Sequence, residues 1–213
     1  MSKKKTLLTI LAVVLVCCIA VAGTLAVLTK ASTSPVKNTF IAAGGGELAV
    51  GLELKEHQAN KATNGTYSLD TTTEVTGNDY KVLPRTDLPK DPFIRINQKT
   101  EVPSYLYVEV VDTLGDNGLS YDINSKWIKL DGITGINGGA VYVYSEDGEA
   151  ATIINDQNAP AGEVYILQNN TITVSDDLKL TGDTKIGLDF YGYLGQASVG
   201  DAAKAFTTCF NNK

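Results

Sequence analysis

Most of the residue types from which catalytic and metal sites are built are scarce in this chain. Its 213 residues include 3 Cys, 1 His, 1 Met and 1 Trp. One histidine cannot supply the paired ligands of a catalytic zinc, and no G-x-S-x-G elbow accompanies it. That residue, His57, stands in Glu53-Leu54-Lys55-Glu56-His57-Gln58 at the end of an alternating segment, where a surface position is expected. Glu53 and Glu56 carry oxygens, but neighbouring residues of a strand point to opposite faces. An excess of positive charge is missing too. With 18 Lys+Arg against 24 Asp+Glu the formal charge is −6, which offers no electrostatic grip on a phosphate backbone. Proline is sparse, at 6 against 20 glycines, while 43% of residues are hydrophobic, so collagen-like and wholly disordered classes are excluded. These absences argue against an enzyme, against a resident metal or cofactor and against nucleic-acid binding. Asp112, Asp116, Asn117 and Asp122, and the pair Asp176-Asp177, lack the D-x-D-x-D-G spacing of a calcium loop and read as turn chemistry.

One long apolar run is present. Met1-Ser2-Lys3-Lys4-Lys5 leads into Leu7–Leu28, 22 residues without a charge. Basic residues followed by such a run form the n- and h-regions of an export signal. As a helix of roughly 33 Å the run also suffices to span a bilayer. Gly23-Thr24-Leu25-Ala26 ends it with small residues, Ala26 at the cleavage position and Thr24 two before it, so cleavage before Val27 is expected, with an uncleaved anchor as the alternative. Either way, the flanking lysines keep the N-terminus inside and everything after Leu28 outside. Cys17 and Cys18 lie mid-run, without the small preceding residue that lipidation requires. Cleavage removes three lysines and no acid, taking the formal charge from −6 to −9 and leaving Cys209 alone, so no intramolecular disulfide can form.

Beyond residue 40 the apolar residues alternate. Leu48–Leu54, Phe93–Ile96, Tyr105–Val111, Trp127–Leu130, Ala140–Tyr144, Val164–Leu167, Thr171–Val174 and Lys185–Tyr193 are expected strands, separated by turn signals such as Asn64-Gly65, Asp131-Gly132, Asp147-Gly148 and Asn169-Asn170. About nine short strands with this punctuation predict an all-β chain, an antiparallel β-sandwich. The Thr-rich stretch Thr63–Asn78 reads as a polar loop or part of an edge hairpin. Ser198–Phe210 has helical spacing, with Ser198 as N-cap and Asp201 at N3, and predicts a closing amphipathic helix with Cys209 on its apolar face. The expected organisation is a signal peptide over 1–26, an exposed segment over 27–39 and a β domain over 40–213.

Three separated pieces occur in a recognisable order. Ala22-Gly23-Thr24-Leu25-Ala26 is followed by Asn38-Thr39-Phe40 and a strand ending Leu52-Glu53-Leu54. Leu83-Pro84 precedes Lys90-Asp91-Pro92-Phe93-Ile94-Arg95-Ile96 and Pro103-Ser104-Tyr105-Leu106-Tyr107-Val108-Glu109-Val110. Phe190-Tyr191-Gly192-Tyr193-Leu194-Gly195-Gln196-Ala197 leads into the closing Ala/Phe helix. This order resembles the TasA/camelysin-like exported proteins of Gram-positive bacteria, at the two ends of the chain rather than over residues 112–184. The resemblance implies a jelly-roll-like sandwich, a signal cut by a SipW-type signal peptidase, and a role as subunit or minor component of an extracellular biofilm-matrix or surface fibre. Its partners would be copies of itself or a related matrix subunit, and the membrane would be met only through the N-terminal helix. It also implies that the released segment beginning Val27-Leu28 and leading to Thr39-Phe40-Ile41 adds as a strand to the next subunit. The residues themselves are equally consistent with a tether or an intramolecular strand. One departure stands out: the family often has Pro-Gly before its Lys-Asp-Pro strand, whereas Arg85 follows Pro84 here.

Tyr105 and Tyr107 share one strand face, as do Tyr142 and Tyr144, and Tyr191 and Tyr193. Tyrosine suits both a half-buried sheet face and a protein interface. These six residues are therefore either a ladder within the domain or a partner-binding face. A monomeric adhesion module and a membrane-tethered β-sandwich are the alternative functions.

Overall fold

The computed structural model describes residues 30–31, 51–97, 102–180 and 186–211. All strand pairing is antiparallel. With strands numbered in chain order, the largest sheet runs β1 (Lys30–Ala31), β13 (Leu188–Gln196), β6 (Ser104–Asp112), β9 (Ala140–Tyr144) and β8 (Trp127–Thr134), and β10 (Ile153–Ile154) adds to the end of β6. A four-stranded sheet has the order β11 (Glu163–Tyr165), β5 (Phe93–Ile96), β2 (Leu52–Lys61) and β3 (Tyr67–Val75). Three short strands, β4 (Leu88–Pro89), β12 (Thr171–Val174) and β7 (Leu119–Ser120), form a third sheet.

The centre of the molecule is the β6–β13 pair, in register from Leu188 opposite Asp112 to Gln196 opposite Ser104. Because successive side chains of a strand point to opposite faces, this pair feeds two cores. Leu106, Val108 and Val110 face the four-stranded sheet and pack with Leu52, Leu54 and Ile94. Tyr105, Tyr107, Tyr191 and Tyr193 face the other way and are covered by Phe206 and Phe210 of the C-terminal segment. Both faces being covered explains why the run from Tyr105 to Val110 is apolar at nearly every position rather than at alternate ones.

The expected strands at 93–96, 140–144 and 171–174 appear with those limits. Thr63–Asn78 is the edge-hairpin alternative: β3 pairs with β2 across a turn at Asn64-Gly65, with Gly65 at φ +89. The pairing steps from Gln58–Asp70 to His57–Glu74, leaving Thr71–Thr73 as an irregularity. Asp70 organises it by accepting from the Thr72 N–H and from the Thr72 and Thr73 hydroxyls, bonds that hold its carboxyl below the usual range.

The closing helix is shorter than its periodicity predicts, and its cap differs. Ala197–Val199 form a 3₁₀ turn, Gly200 breaks it at φ +147, and α1 spans only Ala202–Phe206 before a π turn over Thr207–Asn211. Asp201, not Ser198, is the N-cap, accepting from the Lys204 N–H at 2.8 Å. The apolar spacing was nonetheless informative, since Ala202, Ala205, Phe206 and Phe210 are buried. Cys209 is half-buried beside them, where burial pushes its thiol up.

Candidate functional site

The outer edge of β13 is the candidate site. Its inner side is paired with β6 throughout. On its outer side the described residues supply only β1, with Lys30 opposite Leu194 and Ala31 opposite Tyr193. A strand edge carries backbone N–H and C=O groups that an extended peptide satisfies by adding as a further strand. Lys30 and Ala31 belong to the 27–39 segment, and in this structure they pair within their own chain, the intramolecular alternative of the sequence reading. Thr24, Ala26, Val27, Leu28, Thr39, Phe40 and Ile41 lie outside the described residues, as does the apolar run. No helix among the described residues is long and apolar enough to cross a membrane.

In this structure the six tyrosines pack within the domain. Tyr107 and Tyr193 are fully buried, Tyr105, Tyr144 and Tyr191 nearly so, and Tyr142 is half-buried against the inter-sheet core. The Tyr107 ring meets Phe206 at 5.2 Å and its hydroxyl donates to the Ala202 carbonyl. Tyr193 packs on Phe206 and Phe210 and donates to Glu109 at 2.5 Å. Tyr144 meets Trp127 edge-on at 5.8 Å. Burial raises the hydroxyl pKa of Tyr107 and Tyr193, so these groups act as neutral donors inside the fold. Tyrosine composition alone could not separate the readings, because the α1 cover comes from nearly 100 residues further along the chain, Tyr107 donating to Ala202 across a separation of 95.

Glu109, the one charge inside the β6 apolar run, is fully buried and satisfied. Its carboxylate accepts from the Asn137 and Gly139 N–H groups at 2.8 Å each, from the Asn137 side chain and from Tyr193. It thereby ties the β8–β9 turn to the central strand. Glycine is required at 139, since a Cβ there would overlap the Val110 carbonyl.

His57 is not at the surface. Both it and Glu56 are buried, and they meet two further buried charges, Lys90 and Asp91. His57 Nδ1 lies 2.6 Å from Asp91 Oδ2 and the His57 N–H donates to Asp91 Oδ1 at 3.0 Å. Lys90 Nζ donates to Glu56 Oε2 at 2.7 Å. Alternation does not foretell this burial, because the β2–β3 register shifts immediately after His57 and the Lys90-Asp91 segment packs onto Glu56 and His57. The legible signal was charge placed directly before an apolar strand, in Lys90-Asp91-Pro92-Phe93-Ile94.

In the acidic loops Asp112 accepts from the Leu114 N–H and from the Tyr121 hydroxyl, and Asp176 pairs with Arg85, 91 residues away in sequence. Among the described residues no group of three or more His, Cys, Asp or Glu is placed to hold a metal ion. No family model matches the chain, and no curated protein or solved structure shows significant similarity to it.

Proposed function

We propose that this protein is a secreted, non-enzymatic structural protein, the subunit or a minor component of an extracellular matrix or surface fibre, assembling by strand donation. The supporting observation is the pairing of Lys30–Ala31 along the outer edge of β13. A segment that pairs with its own chain's edge presents the same backbone hydrogen-bonding groups to the same edge of another copy, which is the logic of domain swapping. While the 27–39 segment is joined to a membrane-held helix its reach is restricted, so cleavage before Val27 by a SipW-type peptidase would license exchange between copies. The order of the three sequence pieces supports the same reading, with a jelly-roll-like arrangement of the two larger sheets and no nucleic-acid partner.

The test compares Val27–Lys213, with no N-terminal tag, against a chain starting at Phe40, by size exclusion and electron microscopy of concentrated samples. Filaments from the first and monomers from the second are expected. Folded monomers from both would sink self-assembly and leave an adhesion module or a component requiring another subunit. Retention of the full-length chain in membranes would instead support a permanently tethered domain.

A further inference from the structure

We propose that Lys90 and Glu56 are the two halves of an intramolecular amide cross-link, an isopeptide staple between β2 and the segment entering β5. Four features of the pair point to this chemistry. The amine and carboxylate are in contact, Nζ to Oε2 at 2.7 Å, from positions 34 residues apart. Both are buried, with side-chain exposures of 9% for Lys90 and 0% for Glu56. The pair is poorly solvated by the protein: Glu56 Oε1 is buried with no hydrogen-bond partner among the described residues, and the Lys90 ammonium stands 5.7 Å from the centre of the Phe190 ring. Finally, the neighbouring His57–Asp91 pair docks the same two segments one residue along, with two bonds to one carboxylate, so amine and carboxyl are held against each other.

A buried ion pair carries a desolvation cost that its Coulomb attraction offsets only when the remaining lone pairs are also satisfied. Here one oxygen is not. Condensation removes both charges. One proton passes from the Lys90 ammonium to the Glu56 carboxylate, giving a free amine and a carboxylic acid. The nitrogen lone pair attacks Cδ, the N–Cδ bond forms, one Cδ–O bond breaks, and that oxygen leaves as water carrying the transferred proton and a second proton from the nitrogen. No oxidant, cofactor or co-reactant enters, and positioning supplies the high effective concentration such a step needs. The staple would lock β2 to β5 in a chain whose described residues hold one cysteine and no disulfide. It does not depend on the fibre reading.

Peptide mass spectrometry of the purified full-length protein tests it directly. Trypsin is expected to release a branched species joining residues 56–61 to residues 86–95, uncut after Lys90, about 18 Da lighter than the two unlinked peptides together. Lys90→Arg, in chains that fold, is expected to abolish the branched species and the mass deficit. Recovery of unlinked 56–61 together with separate 86–90 and 91–95 peptides from folded wild-type protein would overturn the proposal and leave a buried ion pair. That result is read on wild-type material, so it does not depend on any variant folding.

Discussion

Arg85 holds a backbone conformation that few side chains adopt. It follows Pro84, and its φ of +62 lies in the region glycine enters without steric cost. Its side chain reaches Asp176 across the surface. That pair is largely solvated and contributes little to stability. Arg85→Gly is therefore expected to leave the urea midpoint nearly unchanged, because relieved strain offsets the added freedom of the unfolded chain, whereas Arg85→Val lowers it. Glu109 is the opposite case, a buried charge with every contact used. Glu109→Ala takes the acceptor from the Asn137 and Gly139 N–H groups and from the Tyr193 hydroxyl, and is expected to cost about 3 kcal/mol or more; Glu109→Gln, which keeps one acceptor, costs less. Equilibrium denaturation of the two variants checks the order.

At the scale of elements, the four-stranded sheet is pinned on its outer face by charge. Arg95 of β5 stands directly opposite Glu53 of β2 on one side and Glu163 of β11 on the other. Its guanidinium also reaches Glu74 of β3 at 2.8 Å, and Lys55 reaches the other oxygen of the same carboxylate. Hydrogen bonds from Arg95 first, and then from Lys55, bring the Glu74 pKa down from 4.5 to about 2. A folded-state pKa below the unfolded one gives stability that is present above the unfolded value and is lost as pH falls through the folded value. The stability contributed by this ladder is thus expected to decline between about pH 4.5 and about 2, and Glu74→Gln to remove that part of the slope. Denaturant midpoints measured across the window, and again in high salt, report it; an unchanged slope in the variant would rule the ladder out as its source. The polar ladder also explains why the end of β2, Lys55 to Lys61, carries no apolar alternation: its register is set by charge pairs and by the β3 hairpin.

For the molecule as a whole, the two cores share their central strands. Val108 and Tyr107 are adjacent in β6 yet belong to different clusters, and Phe190 and Tyr191 repeat this in β13. Losing either core therefore removes support from a strand pair on which the other depends. Phe206→Ala, in the core beneath α1, is expected to cost about 3–5 kcal/mol. It should lower the midpoint of one cooperative transition without splitting it. Trp127 fluorescence reports the inter-sheet core, and the reactivity of the Cys209 thiol in a chain starting at Val27 reports the other, so coincident curves are expected from the two probes. Separated curves would mean that the C-terminal cover melts independently.

Local grammar was legible along the chain. Alternation and turn residues located Phe93–Ile96, Ala140–Tyr144 and Thr171–Val174, and the spacing of Ala202, Ala205, Phe206 and Phe210 marked an apolar helical face. These signals are readable because they arise from period, backbone preference and side-chain shape within a few residues. Whether a tyrosine faces a partner or a core, whether His57 meets solvent or Asp91, and which strand Lys30–Ala31 lies against were decided only in three dimensions. Each depends on a segment distant in sequence: the C-terminal helix over Tyr107, the Lys90-Asp91 segment over β2, the outer edge of β13 beside residue 30. Burial is a property of what arrives from elsewhere, and a strand carries no mark of which of its faces will be covered.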